Sequence, residues 1–338
     1  MILKLQYRLF VPSTMKDESM STLRLYLIFY IVAHMPLIDS KTNIKKLTVN
    51  SHKIISTNRS TLSPPINIWI HGTRFIRRPL YHNFFNNTPS LRLAQELEDD
   101  YYLKKLVKNL SRISPEQFNV ETFYLFGWSG KLRSYIREQA AEALYAELGK
   151  IISDYKKKYG VYPFIRIITH SHGGTVALNL VKIHERLHKK ENLHINELVL
   201  LACPVQESTQ KYIESDIFDH TISLYSSLDM VQILAPQVLY NVFRTKKGNL
   251  RSRMRWPLFS YRRFQKHPKL IQIKIKINGR ALFHTEFTRN RFISLLPHIL
   301  YVLHSWKKHN IVPDTTHLLC VYTKKYQNLN SSRHELVS

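Results

Sequence analysis

The chain has 338 residues, with 50 Lys and Arg against 24 Asp and Glu, a formal net charge of +26. A hydrophobic share of 44% and an aromatic share of 12% exclude a disordered, collagen-like or low-complexity chain. Two cysteines, Cys203 and Cys320, make neither a disulfide framework nor a CxxC zinc site.

The length suits roughly two domains of ~150 residues, or one α/β domain with insertions. Residues 1–60 read as a signal or anchor segment with a linker. Lys4, Arg8, Lys16 and Arg24 precede the apolar run LYLIFYIVA, Leu25 to Ala33. That run is short for a bilayer span of about 20 residues and suits a signal-peptide core. An exported or membrane-associated protein is expected. An N-terminal element packed on the body of a cytoplasmic protein is the alternative, and no A-x-A cleavage site follows.

From Ile66 on, short apolar runs alternate with amphipathic ones. INIWI (Ile66 to Ile70) predicts a strand ending at His71-Gly72-Thr73. Leu91 to Leu110 has helical spacing, and VETFYLF (Val120 to Phe126) predicts a second strand. Ile136, Ala140, Leu144, Leu148, Ile151 and Tyr155 recur every three or four residues, predicting a helix over Ser134 to Tyr159. FIRII (Phe164 to Ile168) is strand-like, followed by a tight turn and a helix from about Thr175 to Lys190. LVLLA (Leu198 to Ala202), ISLY (Ile222 to Tyr225) and IQIKIKI (Ile271 to Ile277) predict three more strands, the last with one wetter face. Alternating strands and helices with short, nearly continuous apolar strands predict a mostly parallel sheet with helices on both faces, over residues 61–310. Residues 311–338 read as a polar, basic tail.

Between ISLY and IQIKIKI the pattern breaks. Phe243 to Lys269 holds ten Lys and Arg and no acid, interleaved with Phe243, Trp256, Phe259, Tyr261 and Phe264. It reads as an insertion or lid whose basic face is solvated, meets anionic lipid headgroups or contacts nucleic acid. The sequence pI near 10.0 fits each of these. No RNP, helix-turn-helix or zinc-finger pattern accompanies the charge, which disfavours nucleic-acid binding as the main function.

The most informative stretch is FIRIITHSHGGTVALNL, Phe164 to Leu180. A strand ends in Thr169-His170-Ser171-His172-Gly173-Gly174 and passes straight into a helix. This matches G-x-S-x-G except that Thr169 replaces the first glycine. The spacing has a steric cause: a nucleophile on a strained strand-to-helix turn needs small neighbours two residues either side. The helix start behind Ser171 favours a developing oxyanion, with the His172 N–H as one donor. Gly72 or Thr73, in the loop after INIWI, offers the second.

IHGT, FGWSGKLRSYIREQAAEALYAEL and IITHSHGGTVALNL together resemble the α/β-hydrolase superfamily. More narrowly they resemble lipase- or esterase-like bacterial members with a WSG segment before an HSHGG elbow. The resemblance covers roughly Ile66 to Tyr225. It implies an α/β-hydrolase fold and a Ser–Asp–His hydrolase without metal or organic cofactor, acting on an acyl ester or lipid. In that fold the triad runs Ser, acid, His along the chain. Asp229, just after ISLY, is the expected acid; Asp216, Asp219 and Glu207 are alternatives. His284, after the last predicted strand, is the expected base; His298 lies in the closing helix.

Ser129, in Gly127-Trp128-Ser129-Gly130, is a weaker nucleophile candidate because Lys131 occupies a position that needs a small residue. His170 and His172 have His-x-His spacing but no carboxylate or cysteine nearby in sequence to complete a metal site. The main expectation is carboxylic-ester hydrolysis through an acyl-enzyme on Ser171. A catalytically silent hydrolase fold serving as a membrane-attached binding module, and a nucleic-acid-binding protein, are the competing readings.

Overall fold

The computed structural model describes residues 46–49, 63–73, 88–187, 193–235, 260–308 and 317–322. All belong to the larger of two units of the chain, Thr42–Ser338. The apolar segment at 25–33 lies outside the described residues, as does the basic aromatic stretch from 243 to 259. No helix among the described residues is long and apolar enough to cross a membrane.

One sheet organises the molecule. Its strands are β1 (Lys46–Val49), β2 (Ile66–Ile70), β3 (Ser90–Leu93), β4 (Phe123–Gly127), β5 (Ile165–His170), β6 (Glu197–Leu201), β7 (Thr221–Tyr225), β8 (Leu270–Ile277), β9 (Arg280–Ala281) and β10 (His317–Val321). They run in the order β1-β10-β8-β7-β6-β5-β2-β4-β3, with β9 paired to β8. All pairings are parallel except β3 with β4 and β8 with β9. The helices are α1 (Tyr102–Ile113), α2 (Ser134–Tyr159), α3 (Gly173–Leu178), α4 (Leu180–Arg186), α5 (Met230–Leu234), α6 (Asn290–Ile293) and α7 (Leu296–Lys308).

The central strands are buried on both faces, so successive side chains feed two cores. Trp69, Ile168, Val199, Leu201, Ile222 and Leu224 pack with α1, α6 and α7. Ile66, Ile68, Ile70, Ile167, Leu198 and Leu200 pack with α2, α3 and α4. In β8 the isoleucines at 273, 275 and 277 point into the first core while Lys274 and Lys276 stay half-covered, the wetter face that the alternation predicts.

Three elements differ from expectation. The stretch from Leu91 to Leu110 is not one helix: Ser90–Leu93 pairs antiparallel with β4, and α1 begins only at Tyr102. The open edge of β4 offers unpaired backbone groups, and Glu96, Glu98, Asp99 and Asp100 separate the two pieces. The helix after the elbow breaks at Asn179 into α3 and α4. Beyond residue 310, His317–Val321 adds β10 between β8 and β1, with Leu319 fully buried. The sheet therefore extends on both sides of the expected 61–310 domain, because β8 would otherwise present a bare apolar edge.

Candidate active site

Ser171 follows β5 directly and begins the turn into α3. Its φ is 54°, in the left-handed region that a non-glycine residue adopts at a cost of about 1–2 kcal/mol. Ser171 N–H donates to Leu201 O (2.9 Å), and Gly174 N–H donates back to Ser171 O (3.0 Å), so the strained turn is fixed from both sides. The small residues around it have steric causes. A Cβ on Gly173 would lie 2.6 Å from Ile70 O, and one on Gly174 would lie 2.4 Å from Cys203 Sγ. Thr169 is accommodated where glycine was expected: it is fully buried, and its hydroxyl donates to Val199 O of β6 at 3.2 Å.

Gly72 closes on the serine from β2. A Cβ there would stand 2.6 Å from Ser171 Cβ and 3.0 Å from His170 O. The loop is held by the WSG segment at the end of β4. Trp128 Nε1–H donates to His71 O (2.9 Å), Trp128 N–H donates to His71 Nε2 (3.2 Å), and the two rings stack with centroids 5.6 Å apart. His71 Nδ1 lies 2.7 Å from Gly72 O. Ser129 follows β4 but is separated from the next helix, which begins only at Ser134, so it does not sit on a strand-to-helix elbow of its own. Thr73 ends the described part of the loop.

Asp229 follows β7 and is fully buried. One carboxylate oxygen accepts the Gln232 N–H (3.0 Å) as the cap of α5, and the other lies 2.8 Å from His284 Nδ1. Ser226 Oγ accepts the Leu282 N–H at 2.8 Å and ties the acid loop to the chain entering His284. Arg262, from the described end of the basic segment, donates to Ser227 O (2.8 Å) and Asp229 O (3.3 Å). Sequence reasoning singles out none of Gln232, Ser226 and Arg262 as supports of the acid, although Asp-x-x-Gln at 229–232 is a helix-start signature.

His284 packs against the elbow. Its ring lies 4.7 Å, centroid to centroid, from His170, whose Nε2 is 3.0 Å from His284 O. Burial and the neighbouring His284 push the His170 pKa down to about 3, so this imidazole is neutral near pH 7. His172 is likewise held well below the usual range, by burial and then by the Arg137 guanidinium. Two neutral imidazoles thus flank Ser171. Burial raises the Cys203 thiol to about 12, which makes it a packing group.

The alternative residues fall elsewhere. Asp216 pairs with Lys269 and Asp219 with His194, at the opposite, amino edge of the sheet. Glu207 is exposed, and His298 sits inside α7. A cavity of about 450 Å³ lined by Tyr145, Ile152, Lys156, Tyr162 and Leu193 touches none of the elbow residues. Among the described residues, Leu228 and Val231, close in sequence to Asp229, and Phe283, next to His284, are exposed apolar side chains.

The strand order and the strained strand-to-helix serine turn are those of an α/β-hydrolase fold. No protein-family model matches the chain, and no curated protein is similar to it in sequence. Among solved structures, a point mutant of the rice cell wall degrading esterase LipA from Xanthomonas oryzae is similar at 10% identity and a TM-score of 0.29, over 82% of this chain and 79% of that one. A lipase-esterase related protein from Clostridium acetobutylicum is similar at 11% identity and a TM-score of 0.24, over 81% and 95%.

Proposed function

We propose that this protein is a serine hydrolase that cleaves carboxylic esters through an acyl-enzyme on Ser171. The observation that carries the reading is the buried 2.8 Å contact between Asp229 and His284 Nδ1, with the same imidazole packed against the residue preceding Ser171. Asp229 as acceptor fixes the tautomer of His284 with its proton on Nδ1, leaving Nε2 free to take the Ser171 proton. The serine oxygen then attacks the ester carbonyl. The oxyanion is received by the N–H of His172 and that of Gly72 or Thr73. His284 returns its proton to the leaving alcohol. A water molecule, deprotonated by the same imidazole, releases the acid and restores Ser171.

The exposed rim of Leu228, Val231 and Phe283 favours an acyl chain or lipid over a small soluble ester. An acyl-enzyme of this kind needs neither metal nor organic cofactor. A fluorophosphonate probe is expected to modify Ser171, identified by peptide mapping. Ser171→Ala is expected to lose p-nitrophenyl ester hydrolysis to background, and Phe283→Ser to slow long-chain esters while sparing the acetate. Equal rates in the wild type and Ser171→Ala would leave a silent fold as the correct reading.

A further inference from the structure

The amino edge of the sheet, opposite Ser171, holds a second cluster of reactive side chains. Glu197 is the first residue of β6, His220 immediately precedes β7, and His304 projects from α7. The three offer ligand atoms all within 4.8 Å of one another, and they form the one such group of three among the described residues. Glu197 Oε2 is 2.6 Å from His304 Nε2 and 3.4 Å from His220 Nε2.

Two features separate this cluster from an ordinary ion pair. His220 is nine-tenths buried, yet neither of its ring nitrogens has a well-aligned hydrogen bond among the described residues. A buried imidazole whose polar contact is one long, poorly aligned approach to a carboxylate is under-satisfied, so the fold would gain from an ion that occupies Nε2. The two carboxylate oxygens are also divided in their duties. Arg166 Nε donates to Oε1 at 3.0 Å, while the guanidinium comes no nearer than 3.4 Å to Oε2, so both imidazoles converge on the oxygen that Arg166 holds less closely. Arg166 is held in place independently, with its guanidinium over the Phe118 ring at 5.2 Å.

We propose that Glu197, His220 and His304 bind one divalent ion of the zinc class, which fastens α7 to the amino edge of the sheet. Two imidazole nitrogens and one carboxylate oxygen are a borderline donor set suited to zinc, and a fourth position remains for water. The His304 side chain is 36% exposed, so that water and the ion have an approach from solvent. Binding requires the 2.6 Å His304–Glu197 contact to open by roughly 0.7–0.8 Å, toward the ligand spacing of about 3.3–3.4 Å in a tetrahedral site with bonds of about 2.0–2.1 Å. The His304 proton moves from Nε2 to Nδ1 as the metal takes its place. Arg166 stays on Oε1 as the outer partner that orients the carboxylate.

Titration of the metal-stripped full chain with ZnCl2 is expected to show one tight ion per molecule and a raised thermal midpoint. CoCl2 is expected to give the visible absorption of a four- or five-coordinate site without thiolate charge transfer. His304→Ala, which alters a partly exposed side chain, and His220→Asn are each expected to weaken that binding on the order of 100-fold or more. Circular dichroism of each variant reports that it folds. The inference is overturned if no stoichiometric ion binds. It is equally overturned if both folded variants bind with unchanged affinity, since the ion then sits on others of the seventeen histidines.

Discussion

Ser171 is held at a positive φ by contacts from neighbouring strands, and its neighbours are fitted for space and for charge. The same crowding keeps His170 and His172 neutral. For His170 the folded value near 3 lies below the ordinary value of 6.5. Between those two pH values the unfolded chain binds a proton that the folded chain refuses, so stability rises with pH there and falls on acidification. The urea midpoint is therefore expected to drop as pH is lowered from 6.5 toward 4. In His170→Asn that drop should be shallower; an unchanged slope would show that other groups govern it.

Elements end where a particular residue lets them. Helix α2 stops at Gly160, whose φ of 72° satisfies the αL cap and whose absent Cβ would meet nothing within 4 Å. Gly72 is the opposite case: its backbone is ordinary, but a Cβ would strike Ser171. The two alanine variants should therefore separate. Gly160→Ala is expected to cost about 1–2 kcal/mol of unfolding free energy with ester turnover unchanged. Gly72→Ala is expected to abolish turnover, because the loop proposed to receive the oxyanion must move away from the serine. Fluorophosphonate labelling and urea denaturation of both variants check this pair. The loop after β7 follows the same logic: Asp229 caps α5 with one oxygen and meets His284 with the other, so the start of α5 fixes the carboxylate that His284 faces.

At the scale of the whole molecule, the sheet is finished by strands from the two ends of the described chain. β10 covers the edge of β8 with Leu319 and Val321 inside the first core. Truncation after residue 312 removes β10 and exposes that edge together with its isoleucines. The truncated chain is expected to unfold at lower urea and to aggregate, as a bare apolar edge strand does; sedimentation and denaturation measurements decide it. Truncation after 322 spares β10 and serves as the control.

The sequence by itself determined the central strands, helix α2 and the serine turn. Their signals are local: an apolar run, a helical period, or a glycine pair that must sit beside a particular residue. It also ordered the candidates along the chain, with Asp229 and His284 in the loops that follow their strands. Only the tertiary structure decided which groups meet. The packing of His170 on His284, the lock of Trp128 on His71, the grip of Arg262 on the acid loop and the cluster of Glu197 with His220 and His304 join residues from 57 to 114 positions apart, or 33 for Arg262 and 23 for Glu197 with His220. Such contacts leave no period in the sequence. Strands β3 and β10 were hidden for a related reason: a short edge strand is specified by the unpaired backbone of its neighbour as much as by its own side chains.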